Sequence, residues 1–130
     1  MPEINILAVL VGTIAAFVLG ALYYGALGAQ LAKVSSAAAA AEPPRLWQMG
    51  AELLRCLVLT VVLAGLASAA GTENVAEGLL LGLALWVGFP LVLWTGAMLH
   101  DKEPWRLAAI HAGDWLVKLL VVSAIVSVWR

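Results

Sequence analysis

Cysteine occurs once in the chain, at Cys56, which excludes an internal disulfide and any zinc cluster built from thiolates. Charge is almost as scarce. Only 12% of residues are charged and the formal net charge is -1, whereas a soluble domain carries about a quarter of its residues charged. With no basic field, nucleic acid is not an expected partner. No HxxxH spacing and no His/Cys/Glu cluster joins His100, Asp101 and His111, so neither a metal site nor a cofactor is expected. Hydrophobic residues make up 64% of the chain, and its mean hydropathy is +1.01. Too little polar surface remains to cover a globule in water, so the expected solvent and first partner is the lipid bilayer.

Apolar runs of about 20 residues read as membrane-spanning helices. Four are found, at about 4–27, 46–70, 75–99 and 105–129. The expected fold is therefore all-α: one transmembrane domain over residues 1–130, with four helices in an antiparallel bundle. Short polar breaks, GTEN at 71–74 and HDKEP at 100–104, separate the later spans. The longest break, 28–45, is Ala-rich and ends in Pro43-Pro44, which suit the first turn of a following helix. SSAAAAA at 35–41 would suit a signal cleavage site. However, the leader MPEIN has no Lys or Arg and the apolar run is long, so the first span is expected to be retained.

Orientation follows the distribution of Lys and Arg. Lys33 and Arg45 fall in the first loop with Arg55 shortly beyond, and Lys102 and Arg106 flank the third. The second loop has no Lys or Arg. These biases predict a multi-pass protein with loops one and three in the cytoplasm and both termini outside. Tyr23, Tyr24, Trp47, Trp94 and Trp105 are expected near the inner interface and Trp129 near the outer one, where amphipathic rings prefer to sit.

A tandem two-helix repeat is one reading of the pattern. ALYYGAL at 21–27 and VLWTGAM at 92–98 share Leu, an aromatic residue, Gly and Ala in register. The helices that follow open on LWQ and PWR, and each then carries an acid and a base: Glu52 with Arg55, and Asp114 with Lys118. Such a duplication would give a pseudo-twofold axis along the membrane normal. The competing reading is shared membrane grammar, since aromatic belts and small residues recur in most spans.

Successive helical residues turn by about 100°, so His111, Asp114 and Lys118 fall within about 60° of one another on one face. Asp114 and Lys118 form an i,i+4 pair in the favourable order. At 1.5 Å per residue they lie roughly 13 and 20 Å from Trp105, close to the midplane. A charge there costs roughly 2.5–3.5 kcal/mol on insertion scales, so such residues turn inward and pair. Glu52 and Arg55 lie nearer the inner interface. Arg55 either snorkels to headgroups or meets Asp114 while Glu52 meets Lys118 or His111. The five residues form the candidate site, either a proton relay or polar ligand pocket, or a fastening between helices or protomers. His111 could act as a pH-sensitive relay or as a hydrogen-bonded structural residue.

Other residues set the frame. Asn5 is placed to cap the first span. Pro90, beside Gly88, removes one hydrogen bond near Trp86 and predicts a kink, either a tolerated bend, which is the plainer reading, or room for a pocket. Gly12, Ala16 and Gly20, then Gly78 and Gly82, then Ala109 and Gly113, repeat at spacings of four and predict close helix contacts. No nucleophile–base motif is present, and Cys56 and Ser123 lack an activating neighbour, which argues against an enzyme. Two classes remain in front: an oligomeric transporter- or channel-like bundle, and an accessory or scaffold subunit of a larger membrane complex. Homo-oligomers are expected under the first, because four helices alone enclose little space.

The segments INILAVLVGTIAAFVLGALYYGAL at 4–27, LLLGLALWVGFPLVLW at 79–94 and KEPWRLAAIHAGDWLVKLL at 102–120 together resemble a bacterial family of small four-helix membrane proteins, the domain of unknown function 1761 family. The most specific points are Asn5, the aromatic pair before Gly25, WxGF at 86–89, and PWRL followed by Ala112-Gly113. In that family the position of His111 more often holds Asn and that of Asp114 Tyr, so the His/Asp pair departs from the pattern. The resemblance implies the fold and a place in the bacterial inner membrane, and supplies no reaction.

Overall fold

A computed structural model of the protein describes residues 4–35 and 45–129. The chain forms helices α1 (Ile6–Val34), α2 (Leu46–Ala70), α3 (Val75–Gly88), α4 (Pro90–His100) and α5 (Trp105–Val128). With α3 and α4 taken as one bent element, four spans are long and apolar enough to cross a membrane: Ile6–Val34, Leu46–Ala70, Val75–His100 and Trp105–Val128. The Ala-rich stretch and Pro43-Pro44 of the first loop lie outside the described residues.

The ends of these helices follow from local chemistry. The Asn5 side chain accepts from the N–H groups of Leu7 and Ala8 at 2.9 and 3.2 Å, satisfying donors that the first turn leaves free. Asn74 caps α3 through the N–H of Glu77 at 2.9 Å. Gly71 ends α2 with φ 74°, a left-handed turn that glycine enters without steric cost. At the expected kink, Phe89 leaves helical geometry (φ -122°, ψ -75°) and Pro90 opens α4. The α1 helix runs seven residues past the expected end at Leu27, through Val34. Nothing in Gly28–Val34 forbids a helix, and Lys33 in the last turn suits the negative end of the helix dipole.

Helix α5 lies at the centre, packed against α3 and α1 most extensively and also against α2 and α4. It is the least hydropathic of the four spans, yet 39% of its window is buried, against 17–28% for the others. In lipid this ordering is physically reasonable: polar side chains gain most by leaving the hydrocarbon, while Leu- and Val-rich faces lose nothing by remaining in it. Large apolar side chains such as Leu22, Leu80, Val92 and Leu93 accordingly stand outward.

The contacts are set by small residues. A Cβ at Gly82 would lie 2.6 Å from the Leu119 carbonyl oxygen, and one at Gly78 2.7 Å from that of Ser123, so α3 and α5 touch backbone to backbone. Gly12, Ala16 and Gly20 are all buried, in line with the expected stripe on α1. On α5 Gly113 of the expected row is a close contact, since a Cβ there would clash with the Tyr23 hydroxyl, but Ala109 is exposed and the buried alanines are Ala108 and Ala112. At the far end, Thr72 Oγ1 and Ser127 Oγ share a hydrogen bond of 2.8 Å that ties the α2–α3 turn to α5. Leu63, Val122, Val126 and Ala16 fill the core between.

Candidate functional site

Two helices, α2 and α5, bring the charges together in a line. Lys118 Nζ lies 3.0 Å from Asp114 Oδ2 and 3.6 Å from Glu52 Oε1, and Arg55 Nη1 lies 2.6 Å from Glu52 Oε2. The order Asp114–Lys118–Glu52–Arg55 alternates in sign and runs from inside to outside: the Asp114 side chain is 6% exposed, that of Lys118 9%, Glu52 37% and Arg55 68%. The helical period accounts for the two local pairs, i,i+4 on α5 and i,i+3 on α2, and the Glu52–Lys118 contact joins the helices. Arg55 therefore does not reach across to Asp114. Its partner is Glu52, leaving Lys118 to neutralise the buried carboxylate.

Room for the Lys118 side chain comes from α1. A Cβ at Gly20 would stand 3.1 Å from Lys118 Cε and 3.2 Å from Nζ, so this glycine of the packing stripe also admits the ammonium group.

His111 meets neither carboxylate directly. Its Nδ1 shares a 2.7 Å hydrogen bond with the Tyr24 hydroxyl, and its ring stacks on Trp94 with centroids 4.9 Å apart and planes at 11°. The neighbouring backbone is held similarly. Tyr23 donates to the Ile110 carbonyl, and Trp86 Nε1 donates to the Ala112 carbonyl at 2.7 Å. One turn of α5, residues 110–112, is thus gripped by aromatic groups from α1, α3 and α4. Of the aromatic residues expected near the inner interface, Trp47 and Trp105 are exposed, whereas Tyr23, Tyr24 and Trp94 turn inward onto α5.

A cavity of about 690 Å³ opens between these groups. Glu52, Arg55, His111, Asp114 and Lys118 all line it, together with Gln48, Tyr24, Trp94 and Trp115. Trp94 Nε1 is buried in this region without an acceptor among the described residues, leaving a donor in the wall. Further along the bundle from Lys118, the core residues Thr60, Leu63 and Val122 are each at most 1% exposed. Pro90 lies elsewhere, in an apolar groove of about 660 Å³ between α2 and the α3–α4 bend. Sequence reading found the charges but missed Tyr24, Trp94, Trp115 and Gln48. The repeated aromatic–Gly–Ala motif was the available signal for the first two.

These features define a class: a polytopic helical membrane protein with an ion-paired polar cavity towards one end of the bundle. The family comparison is more particular, since residues 7–127 match the model described as "Protein of unknown function (DUF1761)", and the chain belongs to that family. No curated protein and no solved structure matches it.

Proposed function

We propose that this chain is a small transporter-like protein of the bacterial inner membrane, working as a homo-oligomer, whose cavity binds a polar ligand near its cytoplasmic end. The observation that carries the reading is the charge-balanced line of Asp114, Lys118, Glu52 and Arg55 in the wall of a 690 Å³ cavity at membrane depth. Intramembrane ionisable groups are costly, and a protein that spends them on packing alone has cheaper polar glue in Ser and Thr. The mouth lies at the end that carries Lys33, Arg45, Lys102 and Arg106, which is the cytoplasmic end under the positive-inside rule and leaves both termini outside. Because the core at Leu63 and Val122 is fully packed, passage across the bilayer requires a rearrangement of α1 or α2 against α5, or a second copy.

The test is flux in reconstituted vesicles, with a proton-sensitive dye inside and small zwitterionic solutes outside. Asp114→Asn and Lys118→Met are expected to abolish flux while the purified protein, though less resistant to SDS, keeps its oligomeric mass. Loss of assembly in the same variants, with flux never detectable in the parent, would instead support the accessory reading. That alternative draws on the Glu52–Lys118 contact between α2 and α5, the kind of bond that fastens helices.

A further inference from the structure

The polar cavity does not stand alone. Helix α2 packs on α1 and α5 but makes no extended contact with α3 or α4, leaving a cleft between α2 and the α3–α4 bend. At one end of this cleft is the charged cavity. At the other is the apolar groove, walled by Leu59, Val62 and Leu66 of α2 and by Leu85, Phe89 and Leu93 of the bend. Trp115 lines both spaces, and a third depression of about 490 Å³ shares Glu52, Arg55 and Lys118 with the first and Leu59 and Val62 with the second. The bend at Phe89 and Pro90 contributes directly, since both residues line the groove.

From this continuity we infer that the site takes a single-chain zwitterionic amphiphile, entering sideways from the bilayer between α2 and the α3–α4 bend. The inference rests on the reading of the polar cavity as a ligand site and names its substrate class. The head sits among Glu52, Arg55, Lys118 and Trp94, and the chain lies past Trp115 in the groove. The charge argument fixes the head. The cluster already balances two carboxylates against two cations, so a net charge brought to it would stay uncompensated at low dielectric, while a head carrying both signs exchanges partners with none left over. The Trp94 N–H supplies a further donor for an oxygen of the head. The apolar arm fixes the tail: Leu, Val and Phe walls offer a chain dispersion contacts and nothing for a second polar group.

Native mass spectrometry of the full chain in maltoside micelles tests this, with lysophosphatidylcholine as probe and glycerophosphocholine, hexadecanol and lysophosphatidic acid beside it. One saturable lysophosphatidylcholine per chain is expected, weakened about tenfold or more by Val62→Trp, which fills the groove from an exposed position and leaves the core untouched, and comparably by Asp114→Asn. Equal binding of glycerophosphocholine would remove the tail from the site and leave the cavity reading standing. Equal binding of hexadecanol, indifferent to Asp114→Asn, would mean annular chain contact only and overturn the inference, as would tighter binding of lysophosphatidic acid. A dimer that Val62→Trp splits, with no probe bound, would give the groove to a second copy. The flux test is independent of all these arms: absence of flux with the probe still bound would remove transport and leave the ligand site standing.

Discussion

Lys118 is the residue on which the buried electrostatics turn, because it is shared. Removing it leaves Asp114 without its cation and sets that carboxylate facing Glu52, which retains Arg55. Removing the Asp114 charge leaves Lys118 still paired with Glu52. Lys118→Met is therefore expected to destabilise by roughly 3–5 kcal/mol, the usual cost of stranding a buried charge. Asp114→Asn should cost about 1–3 kcal/mol, nearer the loss of one buried polar partner. Unfolding of purified protein by SDS in mixed micelles reads both, and the double variant should recover part of the Lys118→Met loss. An inverted order would mean that Glu52 does not share the ammonium. At this scale the sequence was informative wherever an interaction is local. The 100° step per residue puts Asp114 and Lys118 on one face, and spacing alone allows Glu52 and Arg55 to meet. The surroundings of His111 were not legible, because Tyr24 and Trp94 come from other helices. Aromatic residues near span ends default to a headgroup belt, and only packing distinguishes a belt residue from one that grips a neighbouring helix.

Elements were legible in number and approximate extent, less so in register. Hydropathy finds an apolar run, but a helix ends where its hydrogen bonds end, and α1 continues through Val34 because no breaker stops it. The bend was readable because proline has a fixed chemical consequence; the groove beside it was not, since it depends on how far α2 stands away. Small-residue rows were correct on α1 and α3 and half correct on α5, where Gly113 meets Tyr23 closely but Ala108 rather than Ala109 is buried. In an Ala-rich helix several rows satisfy the same spacing, and only the partner selects one. The α3–α5 contact gives the clearest test of close approach. Gly82→Ala drives a methyl into the Leu119 carbonyl and Gly78→Ala into that of Ser123; neither backbone can yield without moving the helix. Each is expected to cost about 1–3 kcal/mol, the usual penalty of overpacking. Gly65→Ala, where a Cβ meets nothing within 4 Å, should be neutral or slightly stabilising through helix propensity. The same SDS titration separates the three, and a neutral Gly82→Ala would mean that α3 stands off α5.

For the molecule as a whole, the inversion of polarity is the organising fact. The most polar span is central and the most apolar ones are peripheral, so the fold places its charges against each other and its leucines against lipid. This much follows from composition once hydrocarbon is taken as the solvent, but which helix lies at the centre follows only from comparing spans. Asp114, Lys118, Ser123 and Ser127 are all buried on α5, and no other span carries so many polar groups inward. The same whole-molecule view ties the cavity to a side of the membrane. Its mouth lies with the loops around Arg45 and Lys102, and the turn at Gly71–Asn74 lies at the opposite end. Two single-thiol variants in a Cys56→Ala background decide the orientation. In intact spheroplasts a membrane-impermeant maleimide is expected to label the Glu73→Cys protein, whose position is exposed at the second turn. The Lys102→Cys protein should react only after permeabilisation. The reverse pattern would turn the cavity mouth to the outside and make an external ligand the one to seek. Reaction of both sites before permeabilisation would mean that the two orientations coexist, as an antiparallel dimer requires.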